Sequence, residues 1–142
     1  MPQYLLTPLI AFLVAQGTKF FLKALKRKIS WREFFAYSDM PSGHTAVVIS
    51  LATIIFLKEG FQSPVFAVSV FFAAIVIADA VGLRRYLGEH GKTLNILVKD
   101  LKEDDYLDKR YPHLLERIGH TPIQVFAGAL VGSIVAVIVW LI

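Results

Sequence analysis

The residues of this chain best suited to chemistry are Met40-Pro41-Ser42-Gly43-His44-Thr45, set between a basic loop and an apolar stretch. Pro41 and Gly43 tighten the backbone, Ser42 brings a hydroxyl, and His44 brings a group that exchanges protons near neutral pH. The helix expected to follow opens with unpaired N–H groups, which favour an anion. The same six residues would also serve as an ordinary helix start, so their meaning depends on what stands near them.

Other polar groups fall at comparable places. Asp79, Arg84 and Arg85 close one apolar stretch, His120, Thr121 and Gln124 open another, and Lys19, Lys23, Lys26 and Arg27 lie at the end of the first. Together they form a set for phosphoryl transfer. Arginines fork onto phosphate oxygens and lysine adds a point charge, while one histidine attacks phosphorus and another protonates the leaving oxygen. That chemistry calls for no metal and no cofactor. The chain has no cysteine, and neither a His-x-x-x-His nor a Glu-x-x-His pair, so a metal site is the lesser option. Asp79 has two readings: an acid inside an apolar span is by default a functional group, but it also stands where it could pair with a nearby arginine.

The elements that must hold these groups are helices in a membrane. Of the 142 residues 56% are hydrophobic and 18% charged, with a mean hydropathy of +0.59, too apolar for a soluble domain of this size. The net charge of +4 sits beside apolar spans, where it suits anionic lipid headgroups; no nucleic-acid partner is expected. Four stretches approach spanning length: Tyr4 to Leu22, His44 to Leu57, Pro64 to Leu83 and Pro122 to Ile142. The N-terminal stretch lacks the basic lead of a secretory signal and reads as a retained helix. The expected fold is therefore all-α, an integral membrane helical bundle of about four spans forming a single domain over residues 1–142.

Basic residues gather in two loops, Lys23 to Arg32 and Arg84 to Arg117, whereas only Lys58 falls between the second and third spans. The bias places both basic loops on the cytoplasmic side of a bacterial inner membrane and both termini opposite. Ser42 to His44, Asp79 to Arg85 and His120 then all reach the cytoplasmic face. Within the last loop Leu94, Leu97, Val98 and Leu101 recur at helical spacing opposite Lys99, Asp100, Lys102 and Glu103. That pattern predicts an amphipathic helix at the membrane surface, either a lid or a packed connector. His113 reads as a surface histidine.

These residues resemble the divergent branch of the type-2 phosphatidic acid phosphatase superfamily, relatives of acid phosphatases and vanadium haloperoxidases. The resemblance rests on Met40 to Thr45, on Asp-Ala-x-Gly-x-Arg-Arg (Asp79 to Arg85), on Leu-Asn-x-Leu-Val-x-Asp-Leu-Lys (Leu94 to Lys102) and on Gly-His-Thr-Pro-x-Gln-Val-x-x-Gly (Gly119 to Gly128). It implies phosphate contacts from Ser42 and Gly43 and a general-acid role for His44. It implies His120 as the nucleophile, in a motif whose usual Asp has become Gln124. Arg84 or Arg85 supplies the arginine half, with the loop between as an insertion, and Lys23, Lys26 and Arg27 stand loosely for the superfamily's basic motif. A rival alignment makes His90 the nucleophile, but Leu94 four residues on cannot orient an imidazole.

The function this resemblance implies is hydrolysis of a lipid phosphate or diphosphate through a phosphohistidine, with Asp79 as a candidate replacement for the missing carboxylate. Phosphatidate, phosphatidylglycerophosphate and isoprenyl diphosphates all fit as substrates, with membrane lipids as surroundings. The alternative is a non-catalytic lipid-phosphate-binding or scaffold protein on the same fold; a small transporter has less support, since no internally symmetric pair of broken helices is present. The chain is shorter than a six-span relative, which leaves room for a homo-oligomer to enclose the pocket, and Gly128 and Gly132 make a small-residue face for helix packing.

Overall fold

The computed structural model describes residues 2–25, 40–100, 114, 116 and 118–142. They form helices α1 (Pro2–Ala24), α2 (Gly43–Glu59), α3 (Pro64–Val81), α4 (Leu83–Asp100) and α5 (Pro122–Leu141), with no strand among the described residues. The local sequence accounts for the starts. Ser42, Ser63 and Thr121 each cap a helix by accepting a backbone N–H from the residue three positions on, and Pro64 and Pro122 occupy first helical positions, where a missing N–H costs nothing.

The fold is thus an all-α bundle of membrane type. α1, α3 and α5 each contain a stretch long and apolar enough to cross a membrane. α2, at 17 residues, reaches only about 26 Å at 1.5 Å per residue, short of a hydrocarbon core of about 30 Å. It lies at the centre, packed on α1, α3 and α5, and α1 also packs on α5. At one end of the bundle Gln3 donates its side-chain N–H to the carbonyl of Val139 at 3.1 Å and the Lys58 ammonium lies over the Tyr4 ring. The polar turns gather at the other end.

The core is made of small side chains. Ala11, Ala15, Ala46 and Val135 form the buried cluster, while Leu9, Leu13, Phe71, Phe72, Ile75, Ile134 and Ile138 face outward. Lipid is as apolar as leucine, so close packing rather than escape from the surroundings holds such helices together. Gly128 and Gly132 let α5 lie against α2: a Cβ on Gly132 would stand 2.5 Å from the Ala46 carbonyl oxygen, and one on Gly128 would run into that of Ser42. The small-residue face is therefore used inside the chain.

Two features differ from the sequence reading. α3 ends at Val81, and α4 begins directly after Gly82 instead of near Leu94. Arg84, Arg85, Glu89 and Lys92 interrupt the apolar rhythm there, which hid the first turns. The helix carries an exposed apolar stripe of Leu83, Tyr86, Leu87, Leu94 and Leu97, as an amphipathic surface helix requires. Leu101, Lys102, Lys26, Arg27, His113 and Arg117 lie outside the described residues.

The second feature is depth. Gly43 opens α2 beside the Phe12 ring, where a Cβ would be 3.6 Å from two of its carbons. α1 runs on from Phe12 to Ala24, twelve residues or roughly 18 Å, so the turn that starts α2 is recessed below the end of α1.

Candidate active site

Four elements bring polar groups to this recess. Ser42 is fully buried, and its hydroxyl oxygen accepts from the Thr45 hydroxyl at 3.0 Å and the Thr45 N–H at 3.4 Å. Its own proton is left to donate. Gly43 and His44 fill the first turn of α2, whose N–H groups have no helical partners. The backbone of Gly43 is helical and a Cβ there would meet only ordinary contact, so neither conformation nor space explains the glycine; it does leave the helix N-terminus bare.

His120 stands just before α5. It is 4% exposed, its N–H donates to the Ala80 carbonyl at 2.9 Å, and its ring lies 6.1 Å from that of His44, tilted by 55°. Nδ1 of His120 is 3.4 Å from Oε1 of Gln124. That oxygen also accepts the Thr121 N–H at 2.9 Å, which fixes which end of the amide faces the histidine. An amide oxygen only accepts, so the contact calls for a proton on Nδ1 and leaves the lone pair on Nε2. Thr121 and Gln124 form a reciprocal capping box, so one side chain both starts α5 and orients the imidazole. Burial holds the pKa of His120 below the ordinary imidazole value; the Gln124 hydrogen bond opposes this, and the charges of Lys19, His44 and Arg84 add to it.

The cations divide unevenly. Lys19 is 4% exposed on the inner face of α1, and its charge acts on both histidines. Lys23, one turn further out, is partly exposed. Lys19 is one of the basic residues at the end of the first span, whereas the expected binding role lies with Lys23 and Arg27. The signal that favours Lys19 is its four-residue spacing from Ala11 and Ala15, which places it on the buried stripe. Arg84 forms an ion pair with Asp79, Nε to Oδ2 at 2.6 Å, and its charge also reaches both imidazoles. Arg85 turns outward to Glu89 at 3.3 Å. Asp79 acts on His44 and holds Arg84, while the group touching His120 is Gln124. His90 is exposed on α4.

The structure therefore brings Ser42, Gly43, His44, Asp79, Arg84, His120, Gln124 and Lys19 to one end of the bundle, and leaves Arg85 and His90 on the surface. No cluster of three or more His, Asp or Glu able to hold a metal ion is present among the described residues. Two imidazoles facing each other, one buried with its lone pair on Nε2, beside a buried ammonium, a guanidinium and a helix N-terminus, can bind a phosphoryl group and exchange it.

A family model described as "Divergent PAP2 family" matches residues 2–135. A relative in Bacillus subtilis (strain 168), carrying the name "Uncharacterized membrane protein YuiD", is 35% identical over 144 residues, covering 94% of this chain and 91% of that one. No solved structure matches.

Proposed function

The chain belongs to the divergent PAP2 family, and from that premise we propose that it is a membrane phosphatase acting on a lipid phosphate or diphosphate through a phosphohistidine intermediate. The observation that carries this reading is the His44–His120 pair, 6.1 Å between rings, flanked by Lys19 and Arg84. In the first step Nε2 of His120 attacks phosphorus, the bond from phosphorus to the ester oxygen (or, in a diphosphate, to the bridging oxygen) breaks, and His44 gives its proton to the leaving oxygen. In the second step His44 takes a proton from water, the oxygen attacks phosphorus, and the P–N bond breaks to release phosphate and neutral His120. The Ser42 hydroxyl, the N–H groups of Gly43 and His44, Lys19 and Arg84 hold the phosphoryl oxygens. The apolar flanks suit a lipid tail, and the basic bias of the two loops supports a site on the cytoplasmic face of the inner membrane.

A second reading is supported by Gln124. A carboxylate at Nδ1 would stabilise the imidazolium, whereas a neutral amide only orients the ring. A protein that binds lipid phosphates without turning them over would tolerate that exchange.

Phosphate release by the full chain in detergent, from a panel of phosphatidate, phosphatidylglycerophosphate and isoprenyl phosphates, separates the two. Turnover that is lost in His120→Ala and His44→Ala and kept in His90→Ala supports the phosphatase. Saturable binding of a phosphorylated lipid without release of phosphate in the unaltered protein supports the binding module.

A further inference from the structure

The Leu94 to Lys102 segment has no part in the chemistry above, yet Asn95 within it makes an unusual contact. Its side-chain amide closes two hydrogen bonds on one residue: Nδ2 donates to the Leu114 carbonyl at 2.9 Å, and Oδ1 accepts the Leu114 N–H at 2.9 Å. Nδ2 also donates to the Glu116 carboxylate at 2.9 Å. The chain then runs back along α4 toward the site. A Cβ on Gly88 would stand 2.6 Å from the Glu116 carbonyl oxygen and 3.2 Å from the Ile118 nitrogen. Gly119, at φ 95°, lies where a Cβ would be 2.7 Å from the Arg85 nitrogen, a conformation and a clearance that both demand glycine. The path ends with the His120 N–H on the Ala80 carbonyl.

We propose that Asn95 is a positioning residue: by clamping the Leu114 peptide groups to α4 it lays the segment into His120 along the helix and seats the His120 ring against His44 and Gln124. This rests on the phosphatase reading only for its effect on turnover. Arg84 stands at the first turn of α4 and Asn95 eleven residues on, about 16 Å along the axis, so the clamp works at a distance from the phosphoryl group. Few side chains could do it. Asp accepts but cannot donate to Leu114 and would face the Glu116 carboxylate, and Leu does neither. With the clamp gone the segment loses this tie to α4, and the buried histidine loses its fixed environment of Lys19 from α1, His44 from α2, Arg84 from α4 and Gln124 from α5.

The test uses the full chain in detergent with Asn95→Leu and Asn95→Asp, read two ways. Turnover is expected to fall about tenfold to a hundredfold in kcat with KM nearly unchanged, the pattern of a misplaced nucleophile. Independently, NMR titration of the His120 ring nitrogens is expected to show its pKa moving up toward the ordinary imidazole value in Asn95→Leu, at unchanged helix content. Asn95→Asp, which keeps the acceptor for the Leu114 N–H, gives the same reading should the leucine variant not fold. A His120 titration identical to that of the unaltered protein in both variants overturns the proposal, whether or not the protein is a phosphatase. A shifted titration in a protein that turns nothing over keeps Asn95 in its role and removes the phosphatase.

Discussion

Ser42 donates its backbone N–H to the carbonyl of Gln124 at 3.0 Å, so the starts of α2 and α5 are tied to each other at the residues beside the two histidines. One turn along α5, Gly128 keeps the backbones close enough for that bond. Gly128→Val is therefore expected to separate the helix starts and to destabilise the bundle by about 1–3 kcal/mol, the usual cost of overpacking. A thermal melt in detergent reads the loss, and activity should fall with it; an unchanged melting temperature would mean that the two helices have room to spare.

The depressed pKa of His120 sets the sign of the pH dependence. On the proposed reaction His120 would attack only when neutral, and burial favours the neutral form. As pH falls, activity should persist below the ordinary imidazole value near 6.5 and fail only when His120 takes up a proton. A kcat/KM profile whose acidic limb lies at or above that value would contradict this.

Gln124→Glu tests the amide from the other side. The longer acid has the reach of the glutamine and can still accept the Thr121 N–H, so the start of α5 survives. A carboxylate at Nδ1 favours the imidazolium and raises the pKa of His120, which moves the acidic limb of the same profile to higher pH. Gln124→Leu, with nothing to orient the ring, should lower kcat without that displacement.

The two lysines of α1 should separate cleanly. Lys19→Met removes a buried cation that acts on both histidines. A charge-assisted hydrogen bond contributes about 1.5–3 kcal/mol, so binding of orthovanadate should weaken roughly tenfold to a hundredfold. Lys23→Met, one turn out and partly exposed, should change it little. Equal losses would place both lysines on the anion.

The arginines give a parallel comparison. Arg84→Gln removes the guanidinium that reaches both histidines and leaves the Asp79 carboxylate unpaired. It should abolish most turnover, and Arg84→Gln with Asp79→Asn should recover stability without recovering activity. Arg85→Gln, which breaks only an exposed pair with Glu89, should leave kcat within about twofold, since such pairs contribute little. Assays of the three proteins side by side check the order.

Most of the helices were legible because their boundaries are written locally. Ser42, Ser63 and Thr121 cap, Pro64 and Pro122 start, and the apolar runs between them have the length of a span. The pairing of His44 with His120 was legible through the family's motifs, not through spacing, since 75 residues separate the two. Three features were not. α4 starts at Leu83 because a helix continues through Arg84 and Arg85 whatever their polarity. Lys19 turns inward and Lys23 does not because the rotation of α1 against α2 and α5 buries the stripe of Ala11 and Ala15, and the four-residue spacing marks that stripe only once the rotation is known. The hold of Asn95 on Leu114 joins a helix to a distant loop, and nothing at either position announces the other.

The recess at the start of α2, set roughly 18 Å short of the end of α1 by the Phe12–Gly43 contact, would govern the traffic of molecules in the proposed phosphatase. A lipid headgroup would reach it by sliding sideways within the leaflet, a search in two dimensions, while water and inorganic phosphate would come and go along the axis. The two products would then part by solvent: the dephosphorylated lipid stays with its hydrocarbon chains and the phosphate dissolves away. Sorting of this kind makes recombination rare, so hydrolysis is driven forward by where each product ends as much as by the chemistry of the bond.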